Sequence, residues 1–201
     1  FIVIFSGCNK YTKEASHSNK GVDKVETTIE ETSRFEIVSA ERSNIRFNNI
    51  LKESEYMNGL FYEYFYNGSG VAVGDFNNDG WQDIYFVSTI SKNKLYLNNK
   101  NLNFIDVTIQ AKADSGLGFD SGVTTVDINQ DGLLDIYICR TGRFEKEDPR
   151  RNVLLVNKGI KNGIPQFEDM ADTYGLDSPA FSTQAGFFDY DNDGDLDMFL
   201  I

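Results

Sequence analysis

The stretch Asp75-Phe76-Asn77-Asn78-Asp79-Gly80-Trp81-Gln82-Asp83 decides how this chain is read, because its pattern returns twice. It recurs as Asp127-Ile128-Asn129-Gln130-Asp131-Gly132-Leu133-Leu134-Asp135 and as Asp189-Tyr190-Asp191-Asn192-Asp193-Gly194-Asp195-Leu196-Asp197. Each copy reads D-x-[DN]-x-D-G-x-x-D. Oxygen-bearing side chains at positions 1, 3 and 5, a glycine at 6 for a sharp turn, a carbonyl at 7 and a carboxylate at 9 make the donor set that a hard cation of calcium size takes. An EF-hand would need Glu at position 12 and a helix on either side. Position 12 is instead Phe86, Ile138 and Leu200, and flanks such as Val71-Ala72-Val73 and Ile84-Tyr85-Phe86-Val87 are apolar and β-branched. The pattern therefore predicts strand–loop–strand metal loops, with the position-9 aspartate in place of the missing Glu.

Asp, Asn and Gly also make good turns without any metal. Turn chemistry, however, requires no acid at position 5 or at position 9, and here both recur in all three copies. Each loop also gathers at least three carboxylates into nine residues, an arrangement that repels itself unless a cation neutralises it. The third loop carries five aspartates and is expected to bind calcium most tightly.

A formal net charge of −12 argues against nucleic acid or an acidic membrane surface as the main partner. Part of that charge belongs to the loops, so it does not by itself mark a docking surface. The apolar fraction of 40% is that of a globular chain. Of the two cysteines, Cys139 falls in an apolar strand, where a buried free thiol is expected.

Cys8 sits differently. Phe1-Ile2-Val3-Ile4-Phe5-Ser6-Gly7-Cys8 resembles the end of a bacterial lipoprotein signal peptide, with Phe5 to Cys8 as its lipobox. That resemblance implies that Cys8 is lipidated and that acyl chains anchor the protein outside the cytoplasm to a bacterial membrane, expected to be the outer one, either in the periplasm or at the cell surface. The alternative for residues 1–5 is a buried strand, since five apolar residues cannot span a bilayer. Residues 9–34 are polar and are expected to form a flexible linker, with the sole histidine, His17, inside it as a solvated residue.

The first positions of the loops are 52 and 62 residues apart, counting from Asp75 to Asp127 and from Asp127 to Asp189. Periods of this size point to propeller blades or a similar array. Strands are expected at 70–73, 84–87, 94–98 and 104–107, then at 123–126, 136–139, 152–157 and 166–169, and finally at 185–188 and 198–201. Asn93-Lys94-Leu95-Tyr96-Leu97-Asn98 matches Asn152-Val153-Leu154-Leu155-Val156-Asn157 as the third strand of its unit. Four strands per unit is the blade of a β-propeller, so residues 35–201 read as an all-β partial propeller of about two and a half blades.

Gly70-Val71-Ala72-Val73-Gly74-Asp75, the Asp-Gly loop, Asp83-Ile84-Tyr85-Phe86 and the following Asn93 to Asn98 resemble FG-GAP or VCBS repeats of the integrin-α-like propeller. Tyr62-Glu63-Tyr64-Phe65-Tyr66-Asn67-Gly68, Asp135 to Arg140, Tyr174-Gly175-Leu176-Asp177 and Ser182-Thr183-Gln184-Ala185 resemble the bacterial relatives of cartilage acidic protein, which carry a later ASPIC/UnbV domain that this sequence lacks. The resemblance implies calcium ligands at Asp75, Asn77, Asp79 and Asp83; at Asp127, Asn129, Asp131 and Asp135; and at Asp189, Asp191, Asp193 and Asp197. Backbone carbonyls of Trp81, Leu133 and Asp195 would fill position 7. The ions would be structural.

Two further features ask for a role. If Phe61 to Tyr66 is a strand, Tyr62, Tyr64 and Tyr66 share one face, which could stack on sugar rings or pack against the first blade. Arg140 to Arg151 is locally basic and suits either an anionic partner or a solvated loop with internal ion pairs. No nucleophilic triad, zinc spacing, P-loop or dinucleotide fingerprint is present. The expected function is a non-catalytic, calcium-stabilised module that binds a protein or glycan outside the cytoplasm. The competing reading is a non-catalytic portion of a polysaccharide-degrading enzyme or its accessory protein, and a plain architectural spacer is a third.

Overall fold

Every residue of the strand Asp135–Thr141 is buried, which a strand achieves only when its sheet is covered on both faces. Its even and odd positions go to different cores. Ile136 and Ile138 pack with Tyr85, Val87, Leu95 and Leu97 on one side, whereas Tyr137 and Cys139 join the cluster that holds Ala185, Phe187, Met198 and Leu200 on the other. Sheets stacked face to face in this way are the architecture of successive blades.

A computed structural model describes residues 35–55, 57–144 and 148–201. The lipobox with Cys8, the linker at 9–34 and His17 lie outside the described residues. The first sheet has the order β1 (Val71–Gly74), β2 (Asp83–Phe86), β3 (Lys94–Asn98) and β4 (Phe104–Asp106). The second repeats it with β5 (Phe119–Val126), β6 (Asp135–Thr141), β7 (Val153–Lys161) and β8 (Ile164–Asp169). β9 (Ala185–Phe188) and β10 (Asp197–Leu200) make a two-stranded third sheet. All pairings are antiparallel. The expected all-β, blade-by-blade architecture is what the chain forms, and its first strands run side by side, β1 against β5 and β5 against β9.

This close approach uses glycine. A Cβ on Gly122 would run into the Thr183 carbonyl oxygen, and one on Gly70, which holds the same place before β1, would meet Val123 at 3.0 Å. The outer face of the first sheet is covered from upstream: Phe47 stacks on Phe86 with ring centroids 4.7 Å apart, and Ile45 joins Phe86, Tyr96 and Phe104.

Three details depart from expectation. The hairpin β7–β8 is longer than the apolar pattern suggests, because Asn162 and Gly163 both adopt positive φ (52° and 77°) and form the tight two-residue turn that joins twisted strands. Phe61 to Tyr66 is not a strand but a run of turns. It buries Tyr62 and Phe65, three residues apart, and exposes Phe61, Tyr64 and Tyr66, so the tyrosines do not share one face. Arg140 is not in a solvated loop. It is the sixth residue of β6, and its guanidinium is paired with Asp120 in the interior.

Candidate metal centre

The three acidic loops occupy one end of the sheets, each between the first and second strand of its unit, and their register is the same. Position 9 lies opposite the residue that precedes position 1: Gly74 faces Asp83, Val126 faces Asp135 and Phe188 faces Asp197. The hydrogen bonds repeat as well. In the first loop the position-1 carboxylate of Asp75 accepts from the amides of Asp79 (3.0 Å) and Gly80 (2.8 Å), and in the second Asp127 accepts from Asp131 (3.0 Å) and Gly132 (2.9 Å). In the third, Asp189 accepts from the Gly194 amide at 3.2 Å. The position-5 carboxylates of Asp79, Asp131 and Asp193 each accept from the amide of position 7, at 2.9, 2.9 and 3.1 Å. Position 4 is left-handed in all three loops (Asn78 φ 52°, Gln130 φ 56°, Asn192 φ 62°), as is the glycine at position 6. Left-handed backbone is where Asn and Gly cost least, which accounts for Asn78, Asn192 and the three glycines, whereas Gln130 adopts it without that preference.

Position 9 does more than close a loop. Asp83 and Asp135 are fully buried. Asp83 accepts from the Phe76 amide at 3.0 Å and from the Asn98 amide of β3 at 2.8 Å, while Asp135 accepts from Ile128 at 3.0 Å and from Asn157 of β7 at 2.7 Å. Each carboxylate thus ties its loop to the third strand of the same sheet. Burial pushes the Asp83 carboxyl up to about 6, and the charges of Asp79 and Asp75 add to it against the opposition of the two amides. Asp135 is raised by burial in the same setting. In the third loop Asp195 is raised because it lies against Asp193.

The donor chemistry fits a hard cation. Among the described residues, two buried side-chain oxygens have no hydrogen-bond partner, Asn77 Oδ1 and Asn98 Oδ1, and both border the first loop. Asn77 is position 3, and its Nδ2 is already committed to Asp79 Oδ2 and to the Gly163 carbonyl, both at 3.1 Å, so its oxygen is left to face something else. In the third loop, carboxylate oxygens of Asp189, Asp191 and Asp197 lie within 4.8 Å of one another, close enough for one ion to touch all three.

Residues 75–138, which hold the first two loops and the strands around them, match the model of the FG-GAP-like repeat family. This stretch of the chain carries FG-GAP-like repeat sequence. The chain is similar to cartilage acidic protein 1 of Xenopus tropicalis, 31% identical over 134 residues, a match that covers 66% of this chain and 19% of that protein. The mouse protein of the same name is 30% identical over 134 residues, with the same coverage. Integrin alpha-8 of Gallus gallus is 36% identical over 113 residues, covering 49% of this chain and 10% of that protein. The chain spans about a fifth or less of the length of these relatives.

Other residues of the two four-stranded sheets carry geometry that their sequence did not announce. Asn93 and Asn152 begin the third strand region of their blades. Each accepts the amide of the residue five after position 9, Ser88 or Arg140, at 2.8 Å, and donates to the buried tyrosine of β2 or β6, Tyr85 or Tyr137. Only their recurrence in both repeats could have flagged them. At the end of the sheets opposite the acidic loops lies a cleft of about 670 Å³ walled by Phe61, Tyr62, Tyr64, Phe119, Phe181 and Arg143. Phe61, Tyr64 and Phe181 are more than half exposed there, and Arg150 stacks on Phe181 at 5.7 Å. Of the basic segment, Arg151 pairs with Asp177 at 2.6 Å. Residues 145–147 lie outside the described residues. No helix among the described residues is long and apolar enough to cross a membrane.

Proposed function

We propose that this chain is a calcium-stabilised, non-catalytic part of a propeller that binds a protein or glycan outside the cytoplasm. The ligand sets are Asp75, Asn77, Asp79, Asp83 and the Trp81 carbonyl; Asp127, Asn129, Asp131, Asp135 and the Leu133 carbonyl; and Asp189, Asp191, Asp193, Asp197 and the Asp195 carbonyl. The observation that carries this reading is the buried, unpartnered Asn77 Oδ1 at the position where calcium loops place an oxygen ligand. Extracellular calcium is plentiful enough to fill weak sites, which agrees with export and with a lipid anchor at Cys8.

The bound ions would supply fixed positive charge that lets the acidic loops hold their turns. The residues supply the rest: position 1 grips the turn amides, position 9 locks the loop to the sheet, and the opposite end of the sheets stays free for recognition. The aromatic cleft is the recognition surface, because exposed rings beside Arg143, Ser121 and Thr183 suit sugar faces or the side chains of a protein ligand.

Trp81, the sole tryptophan, stands at position 7 of the first loop and reports on that site directly. Terbium added to the protein should luminesce on tryptophan excitation, and calcium should quench the signal by displacement. Absence of sensitised emission together with no heat of calcium binding would overturn the metal reading. For recognition, the protein in saturating calcium is applied to glycan and protein arrays, with Phe61→Ala and Phe181→Ala alongside. Hits that survive both substitutions would remove the cleft from the proposal, and turnover of a bound glycan would replace binding by catalysis. Palmitate labelling lost in Cys8→Ser tests the anchor.

A further inference from the structure

The acidic loops touch one another through a repeated contact. Asn78 Nδ2, at position 4 of the first loop, donates to the carbonyl of Gly132, position 6 of the second, at 3.1 Å. Gln130 Nε2, at position 4 of the second loop, donates to the carbonyl of Gly194, position 6 of the third, at 2.9 Å. The same position of one loop therefore holds the same position of the next in both junctions, although the two donors differ in length by a methylene.

The peptide that is held is a particular one. The unit joining positions 6 and 7 offers its carbonyl to the neighbouring loop, while its N–H donates to the position-5 carboxylate of its own loop: Leu133 to Asp131 and Asp195 to Asp193. The same residue whose N–H is held, position 7, carries the carbonyl proposed as a ligand. On the donor side, Asn78 lies between Asn77 and Asp79, two proposed ligands of the first loop. A side chain at position 4 can reach its neighbour only while the left-handed turn that sets positions 3 and 5 is formed.

We infer that Asn78 and Gln130 are positioning residues that couple the metal loops, so that an ion bound in one loop raises the affinity of the adjacent one. The inference rests on the calcium reading given above and deepens it. Binding in the second loop fixes the Asp131 carboxylate and the Leu133 carbonyl, and with them the peptide between Gly132 and Leu133. That peptide then holds Asn78, and the first loop pays less ordering entropy when its own ion arrives. Neutralising the second loop also lowers the repulsion felt by the first, but this part of the effect is screened by salt, whereas the hydrogen-bonded part is not.

The test reads the first loop alone, through terbium luminescence sensitised by Trp81, in high salt. Asp131→Ala empties the second loop and should weaken terbium binding at the first by about 5-fold or more, the usual lower range of such coupling. Asn78→Gly keeps the left-handed turn and removes the donor. In that background Asp131→Ala should shift the first-loop affinity by less than 2-fold, roughly the limit for uncoupled sites. Folding of each variant is checked by protection of the buried Cys139 thiol. A first loop indifferent to Asp131→Ala, or equally sensitive with and without the Asn78 amide, overturns the coupling while leaving the calcium reading in place. Failure of any loop to take up an ion overturns both.

Discussion

Arg140 donates from Nε to Asp120 Oδ1 at 2.7 Å, and the two side chains are only 6% and 3% exposed. This ion pair sits in the interior beside the junction of the first two blades. Its second oxygen, Asp120 Oδ2, accepts from Asn93 at 2.5 Å and Ser115 at 2.8 Å, and Arg140 Nη2 reaches the Ser115 carbonyl at 2.6 Å. The network links β6 of the second sheet to the connection leaving the first. A buried pair of this kind adds little over an apolar core, but it is costly to break, because the surviving charge stays in the interior.

Arg140→Ala should therefore destabilise the protein by about 3–5 kcal/mol. Arg140→Lys should recover little, since the ammonium cannot make the Nε and Nη2 bonds together. Denaturant unfolding followed by fluorescence measures both; a loss under about 1 kcal/mol for Arg140→Ala would mean that the pair is solvated in solution.

Gly122→Ala should cost about 1–3 kcal/mol, because the new methyl group meets the backbone carbonyl of Thr183 and must push β5 away from β9. Gly186→Ala, with open space around its Cβ position, is the control and should be near neutral. Melting temperatures of the two variants in calcium give the comparison directly.

Removing metal should lower the melting temperature and change its pH dependence. Without an ion, Asp83 resists ionising because it is buried, and its carboxyl stands at about 6, above the ordinary carboxylate value. A raised carboxyl contributes stability that is complete below its unfolded value and fades as pH rises through the folded one. The stripped protein should thus lose stability from this group between about pH 4 and pH 6. A bound cation favours the carboxylate and should reverse the trend. Thermal melts of stripped and calcium-loaded protein across this range decide it; parallel curves would show that the ion does not sit against Asp83.

Cys139 is buried, and burial pushes its thiol up to about 12, so it holds almost no thiolate at neutral pH. It should resist alkylation in the folded protein and react on unfolding. Mass spectrometry of the Cys139 peptide after iodoacetamide treatment measures this, and rapid labelling under native conditions would reveal opening between the second and third sheets.

Several residues show how far the sequence could be read. The acidic loops were legible because their spacing is local: nine consecutive residues carry the whole pattern, and it recurs in three copies. Strands were legible from two-residue periodicity except where a turn extended them, as at Asn162-Gly163. Phe61 to Tyr66 misled because dense aromatics suit strands, yet burial three residues apart follows from turns. Arg140 read as a loop charge because its partner, Asp120, lies 20 residues upstream and meets it only through the pairing of β5 with β6.

The order of residues by itself determined the strands, the nine-residue acidic turns and the repeat, since each depends on neighbours a few positions apart. Only the tertiary structure decided that Asn78 and Gln130 reach the next turn, that Asp120 and Arg140 neutralise each other in the interior, and that Phe119 and Phe181 wall one cleft. Those relationships join groups separated by tens of residues, and they exist because stacking sheets face to face brings equivalent points of successive repeats within hydrogen-bonding distance.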